Sequence, residues 1–480
     1  MLLKSIALLV LLLVEQPAGP AQDAILRGPE TRAALEYRFT PEDETLLDEI
    51  EHACFLYFWN EVGTPAKLVK DRKLGPVASI AAVGFQLSSL PIGVERKWCT
   101  KIEARERALT ILKALVERDD NKKWGMYLHF PDLNNGGPSH EGYSAEASTV
   151  DTALFLAGAI PAAEYFGGEV KTLVERALMA ADWKRYAVAK GGMVAMAWKP
   201  AKDVPTLDGA GAFTEWSWWN NSDEERLVYL LAVGAPDPNH ALEPAAYYSL
   251  KRSIKGHKEL PPFVVSWPGT LFTYFFSHCW IEYRGLGPDA PAKFGGDGPR
   301  VDWFENSRRA VITHRQRCIE AADKFKTFAT DRWGMSACDG RDGYLVPEIQ
   351  PNLSNNDDFG GGTIAPYAAG SSIIFTPKES LAALRAFREL RKRPDGSFGG
   401  GTSGELFVWR DPLKGGYGFA DSFNLDQKFA SPDFLGIDQG PMLLMIENAR
   451  TGLIWKLFMK NEMVQRGLTK LQIEPIERTP

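Results

Sequence analysis

Apolar positions recur at helical spacing along most of the chain once a polar stretch ends near Thr40. "PEDETLLDEIEHACFLYFWNEV" opens with a proline and acids, as helix starts do, and sets Leu46, Leu47, Ile50, Cys54 and Tyr57 on one face. The same reading predicts helices over 77–90, 101–118, 148–166, 170–188, 222–234, 270–283, 307–330, 378–393 and 440–459. Strand-type alternation is scarce, so the pattern points to an all-α protein.

The predicted helices fall into two kinds. Those at 101–118 and 378–393 carry charge on one face, whereas those at 77–90 and 148–166 are rich in Ala, Gly and Ser, which fits an outer and an inner ring. Between them recur aromatic-glycine segments: "WGMYLHF" from Trp124, "GGMVAMAW" from Gly191, "WGMSACDGRDGY" from Trp333 and "GSFGGGTSGELFVW" from Gly396. A helix, turn, loop, helix period of roughly seventy residues argues for a single-domain toroid of about six helix hairpins. An irregular helical protein with coincidental turns is the other reading. No Pro/Ser/Gly-rich linker divides the chain into two domains.

Composition narrows the partners. The 480 residues are 45% hydrophobic and 24% charged, ordinary globular material. With 55 Lys and Arg against 61 Asp and Glu, the net charge of -6 offers no basic stripe for nucleic acid. Fourteen Trp suit either core packing or stacking on sugars. "MLLKSIALLVLLLVEQPAGPAQ" has a charged start, a short apolar run and small residues at a cleavage position, so residues 1–21 read as a signal peptide and 22–40 as an N-terminal extension. The run is too short for a membrane span, and the expected location is the periplasm or outside the cell. Cys54, Cys99, Cys279, Cys318 and Cys338 lack any CxxC pair and are expected to be mostly buried thiols with at most one bridge.

Metalloprotease, nucleophile-elbow, P-loop and dinucleotide-binding motifs are absent, and the seven histidines form no i,i+4 pair. No metal or other cofactor is expected, and His278 in "FSHCW" reads as a core or loop residue. What remains are acids at the starts of apolar helices. "HEGYSAEASTVDTALFLAG" holds Glu141, Glu146 and Asp151; "FTEWSWWNNSDEERLVYLLAVG" holds Glu215, Trp216, Trp218, Trp219, Asp223 and Glu224; "GFADSFNL" holds Asp421; and "SPDFLGIDQGPMLLMIEN" holds Asp433 and Asp438. If these helices line an inner ring, their N-termini share one face and form a bowl of carboxylates and indoles. That is what glycoside hydrolysis needs: one carboxyl to protonate the leaving oxygen, another to activate water or attack, and rings to stack on sugars. Each acid also has a structural explanation. Ser148 and Asp151 have capping-box spacing, and of Asp223 and Glu224 one can cap while the other faces the cavity. Glu146 lies before the cap, where the helix dipole explains it less. Glu141 and Glu215 fit solvated loop acids, and Asp421 and Asp438 fit residues that hold loops or hydroxyls.

At "EASTVDTALFLAG", "DEERLVYLLAVGAP", "GFADSFN" and "SPDFLGIDQGPMLLMIENARTGLIWKLFM" the chain resembles the glycoamylase-like (α/α)6-barrel proteins, including bacterial β-1,2-glucanases of glycoside hydrolase family 144. The likeness covers nearly everything after residue 40. It implies one (α/α)6 catalytic domain over 41–480 that hydrolyses β-glucan, foremost β-1,2-glucan or its oligosaccharides. The family's motif acids fall on Glu146 and Glu224, which the resemblance makes the catalytic pair. Asp151, Glu215, Trp216, Trp218, Trp219, Asp421 and Asp438 are assigned to substrate binding or support, with Asp438 the reserve base. The chain departs in carrying Asp223 where relatives often have Asn, and in lacking an Asp just before Glu146. A transglycosylase, or a glucan-binding protein without catalysis, are the alternatives on the same fold.

Overall fold

The computed structural model describes residues 24–28, 31, 35–139, 145–201, 206–296, 298–390 and 407–476. The expected signal peptide, Glu141 and most of the segment beginning at Gly396 lie outside them. The principal helices are α1 (Pro41–Asn60), α2 (Ile80–Glu95), α3 (Lys101–Val116), α4 (Thr149–Phe166), α5 (Gly168–Ala180), α6 (Asp223–Gly234), α7 (Trp303–Glu320), α8 (Pro366–Ser371), α9 (Pro377–Glu389), α10 (Gly436–Arg450), α11 (Leu453–Met459) and α12 (Glu462–Leu471). Helix starts follow the sequence signals closely. Thr40 and Asp43 form a reciprocal capping box with Pro41 at the first helical position, and Thr100 and Glu103 do the same for α3.

The two predicted kinds of helix occupy different surroundings. Helix α2 is buried from Ile80 through Gly93 and packs on α4 and α10, while α1, α3 and α5 flank them. Glycine makes this approach possible. A Cβ on Gly84 would lie 2.2 Å from the Leu154 carbonyl oxygen, and one on Gly158 would lie 1.9 Å from the Gly84 oxygen, so α2 and α4 cross backbone to backbone. Helix contacts run from α10 through α2 and α4 to α6, continue into the 271–279 segment and return to α10.

Three expectations are corrected. Residues 270–283 form short 3-10 turns, Leu271–Tyr274, Ser277–Cys279 and Tyr283–Gly285, instead of an α-helix. Its amides are drawn to partners elsewhere: Phe272 N–H donates to Ser336 Oγ (3.1 Å), Leu271 N–H to the Met335 carbonyl (3.2 Å), and Ser277 N–H to Asp223. The helix expected over 307–330 spans Trp303–Glu320, and that over 440–459 breaks at Gly452, whose φ of 68° ends α10. All five cysteines are free, four of them buried, so no bridge forms.

The described aromatic-glycine segments from Trp124, Gly191 and Trp333 supply short paired strands, an organisation the helix-dominated pattern concealed. Strands β1 (Lys122–Lys123) and β2 (Met126–Tyr127) join through Trp124 and Gly125, both at positive φ, as a two-residue hairpin turn demands. Strand β3 (Ala147–Ser148) pairs with β4 (Ala197–Pro200), which pairs with β5 (Gly211–Phe213); β6 (Cys338–Gly340) pairs with β7 (Gly343–Leu345). These short strands fix the loops that bear the acids.

Candidate active site

Glu146 precedes β3, and the register of that strand decides its neighbours. Ala147 pairs with Trp198 on one side and bridges to Leu128 on the other, so one residue back Glu146 stands between Lys199 and His129. Lys199 Nζ lies 2.8 Å from Glu146 Oε2, and His129 Nδ1 lies 3.5 Å from Oε1. The other nitrogen, His129 Nε2, lies 3.5 Å from Asp151 Oδ1. The imidazole therefore spans the two acids across the start of α4, its ring stacked on Phe130. Contact with His129, reinforced by Lys199 against partial burial, draws the Glu146 carboxyl down to about 2. Burial works against charge on His129, but Asp151, Glu146 and Asp71 outweigh it and raise its pKa. Asp151 also accepts a hydrogen bond from Ser148 Oγ at the helix cap.

The start of α6 distributes three consecutive acids differently. Asp223 is fully buried, paired with Arg226, and accepts from Ser277 N–H and His278 N–H, so it ties α6 to the 3-10 segment. His278, bonded to Ser307 Oγ at 3.0 Å, is a core residue. Glu225 forms the capping box with Ser222 and accepts from Asn220 Nδ2 at 3.0 Å. Only Glu224 has no hydrogen-bond or ion-pair partner among the described residues, although it is half-buried. Burial, with the charges of Glu225, Asp151 and Asp223 close by, pushes its carboxyl well above the usual range. The surroundings thus favour the ionised form of Glu146 and the protonated form of Glu224, at the starts of two helices that pack together.

Asp421 and Asp438 form a second, buried acidic pair. Burial raises Asp421 to about 6, and burial together with Asp421 raises Asp438 further. Asp421 Oδ1 and Asp438 Oδ2 each lack a donor among the described residues, and the two carboxyls influence each other's titration directly. Asp421 Oδ2 accepts from Asp339 N–H (2.7 Å), and Asp339 pairs with Arg72 Nη1 at 3.0 Å. Asp433 accepts from Leu74 N–H and Phe434 N–H and holds its loop.

Glu215 is exposed and Trp216 is 69% exposed, whereas Trp218 is half-buried and its indole donates to Thr149 Oγ1 at 2.9 Å, fastening this loop to the start of α4. Trp219 is half-buried with its ring against Trp267. Sequence reasoning missed His129, Lys199, Arg72 and Asp339. His129 had a signal in its place within the first aromatic-glycine segment; Lys199 had none short of the strand register. Among the described residues no group of three or more His, Cys, Asp or Glu side chains is arranged to hold a metal ion, and no helix is long and apolar enough to cross a membrane.

Known proteins share this architecture. A curated exo-β-1,2-glucooligosaccharide sophorohydrolase from Parabacteroides distasonis is 29% identical, with 92% of this chain and 60% of that protein aligned, so the chain spans about 60% of the relative's length. A crystal structure of a β-1,2-glucanase from Parabacteroides distasonis superposes with a TM-score of 0.73 at 25% identity, covering 91% of this chain and 60% of that one. An endo-β-1,2-glucanase from Chitinophaga pinensis, solved with sophorotriose and glucose, shares the fold with a TM-score of 0.72 at 23% identity over 90% of this chain and 98% of that one. The sequence model of the glycoamylase family, which describes glucoamylases, matches residues 216–403 and 404–462, just over half of the chain, and the protein belongs to that family.

Proposed function

We propose that this protein is a glycoside hydrolase that cleaves β-1,2-linked glucan or its oligosaccharides, with Glu224 as general acid and Glu146 as the opposing carboxylate. One observation carries the reading: two carboxyls at adjacent helix starts are displaced in opposite directions, Glu146 down to about 2 and Glu224 well above its ordinary range. Glu224 can then deliver its proton to the glycosidic oxygen as the bond breaks. Glu146 stays negative, suited to stabilising positive charge at the anomeric carbon or to attacking it; accepting a proton from water requires the Lys199 contact to loosen. Asp438, beside Asp421, is the reserve base. Similarity to β-1,2-glucan hydrolases supports the linkage.

The scaffold is read as an (α/α)6 toroid over 41–480 in one domain, supported by the closed circuit of helix contacts. Residues 1–21 are read as an export signal to the periplasm or medium, which N-terminal sequencing of the mature protein tests. The activity is tested by offering β-1,2-, β-1,3- and β-1,4-glucans and identifying products. Cleavage of the β-1,2 polymer or oligosaccharides is the expected outcome; no release from any of the three overturns the reading.

A further inference from the structure

Trp267 is left over from the sequence motifs, yet it stands beside one of them. It precedes the 3-10 segment at Leu271 as Trp219 precedes α6, so the two indoles guard the entrances of segments that Asp223 ties together. Their ring centroids are 6.0 Å apart at an interplanar angle of 74°, and 49% of Trp267 is open to solvent. Trp267 is not a lone exposed ring: with the half-buried Trp219 it makes a paired aromatic surface within a few residues of Glu224. The ring is also carried on a rigid turn. Ser354 N–H donates to the Trp267 carbonyl (3.1 Å), Ile349 N–H to the Pro268 carbonyl (2.8 Å), and Gly269 N–H to Ser266 Oγ (3.2 Å). On the other side, Lys251 N–H holds the Trp219 carbonyl at 2.8 Å, and Lys251 Nζ lies 5.8 Å from the Trp219 ring.

We propose that Trp267, backed edge-to-face by Trp219, is a stacking platform for a glucosyl unit remote from the cleaved bond, so that it sets preference for longer chains. The assignment rests on the hydrolase reading above. A fixed indole face matches the apolar C–H face of a pyranose and loses little entropy on binding, while the Lys251 ammonium is at hand for a hydroxyl. The test compares kcat/KM for β-1,2-gluco-oligosaccharides of increasing length in the wild type, Trp267→Ala and Trp267→Phe, with folding checked by circular dichroism. The alanine variant is expected to lose about ten-fold in kcat/KM on the longer substrates, through KM, and to stay within about two-fold on the shortest one cleaved. Phenylalanine restores most of the loss. Equal losses at every length, or none at any, overturn the platform while leaving the hydrolase reading intact. A wild-type protein inactive on all lengths overturns the hydrolase reading, and the platform with it, before any variant is compared.

Discussion

The entrances to α4 and α6 use the same residue types to opposite ends. At α4 the acid outside the helix is flanked by cations on both sides, because antiparallel pairing sets His129 and Lys199 across from Glu146. At α6 the first turn concentrates three acids, and the fold gives two of them partners: Asp223 pairs with Arg226 and accepts from Ser277 N–H, and Glu225 accepts from Asn220 and caps the helix with Ser222. Glu224 is left among negative neighbours without a cation, so its proton is retained. Two carboxyls in unlike electrostatic surroundings thus arise from which neighbours each entrance supplies, and the helix dipole common to both is the smaller influence.

Breaking the structural half of the α6 entrance should have the largest effect. Asp223→Ala leaves Arg226 buried and uncompensated, and stability should fall by about 3–5 kcal/mol, seen as a lower urea midpoint. Next, Glu224→Gln and Glu146→Gln should each lower turnover by about 100-fold or more while the urea midpoint stays near wild type. Near wild-type rates in both variants would sink the pairing. His129→Gln removes the first cause of the low Glu146 pKa; the acid limb of kcat/KM should move to higher pH, with a loss of about ten-fold at acidic pH. Lys199→Met should move that limb the same way by less, with at most about a three-fold change, since Lys199 is half exposed. The alkaline limb should be unmoved by Lys199→Met: with Glu224 as the proposed general acid, activity falls as pH rises through its raised pKa.

Much of this was legible in the sequence for a local reason. The proline and acids from Pro41 and the capping-box spacing of Ser148 and Asp151 depend on residues within a turn of one another, and those helix starts fell where the signals stood. The 270–283 stretch misled because its apolar run also fits a buried segment whose amides bond to Ser336, Met335 and Asp223, all distant in sequence. Glu146 was legible as a position that capping did not explain, whereas Glu224 was singled out by the family resemblance, the residues alone leaving it open which of Asp223 and Glu224 caps. The roles of Asp223 and Trp218 were not legible: one proved to be a buried tie between segments, the other a fastening to Thr149.

By itself the sequence determined the helical succession, the glycines at which helices could cross, and the acids gathered at helix starts, because periodicity, capping and side-chain volume act over a few residues. Tertiary structure alone decided which acid keeps its proton. That depends on charges within a few ångströms brought from positions 129, 199 and 226, and on how much water the packing leaves around each carboxyl.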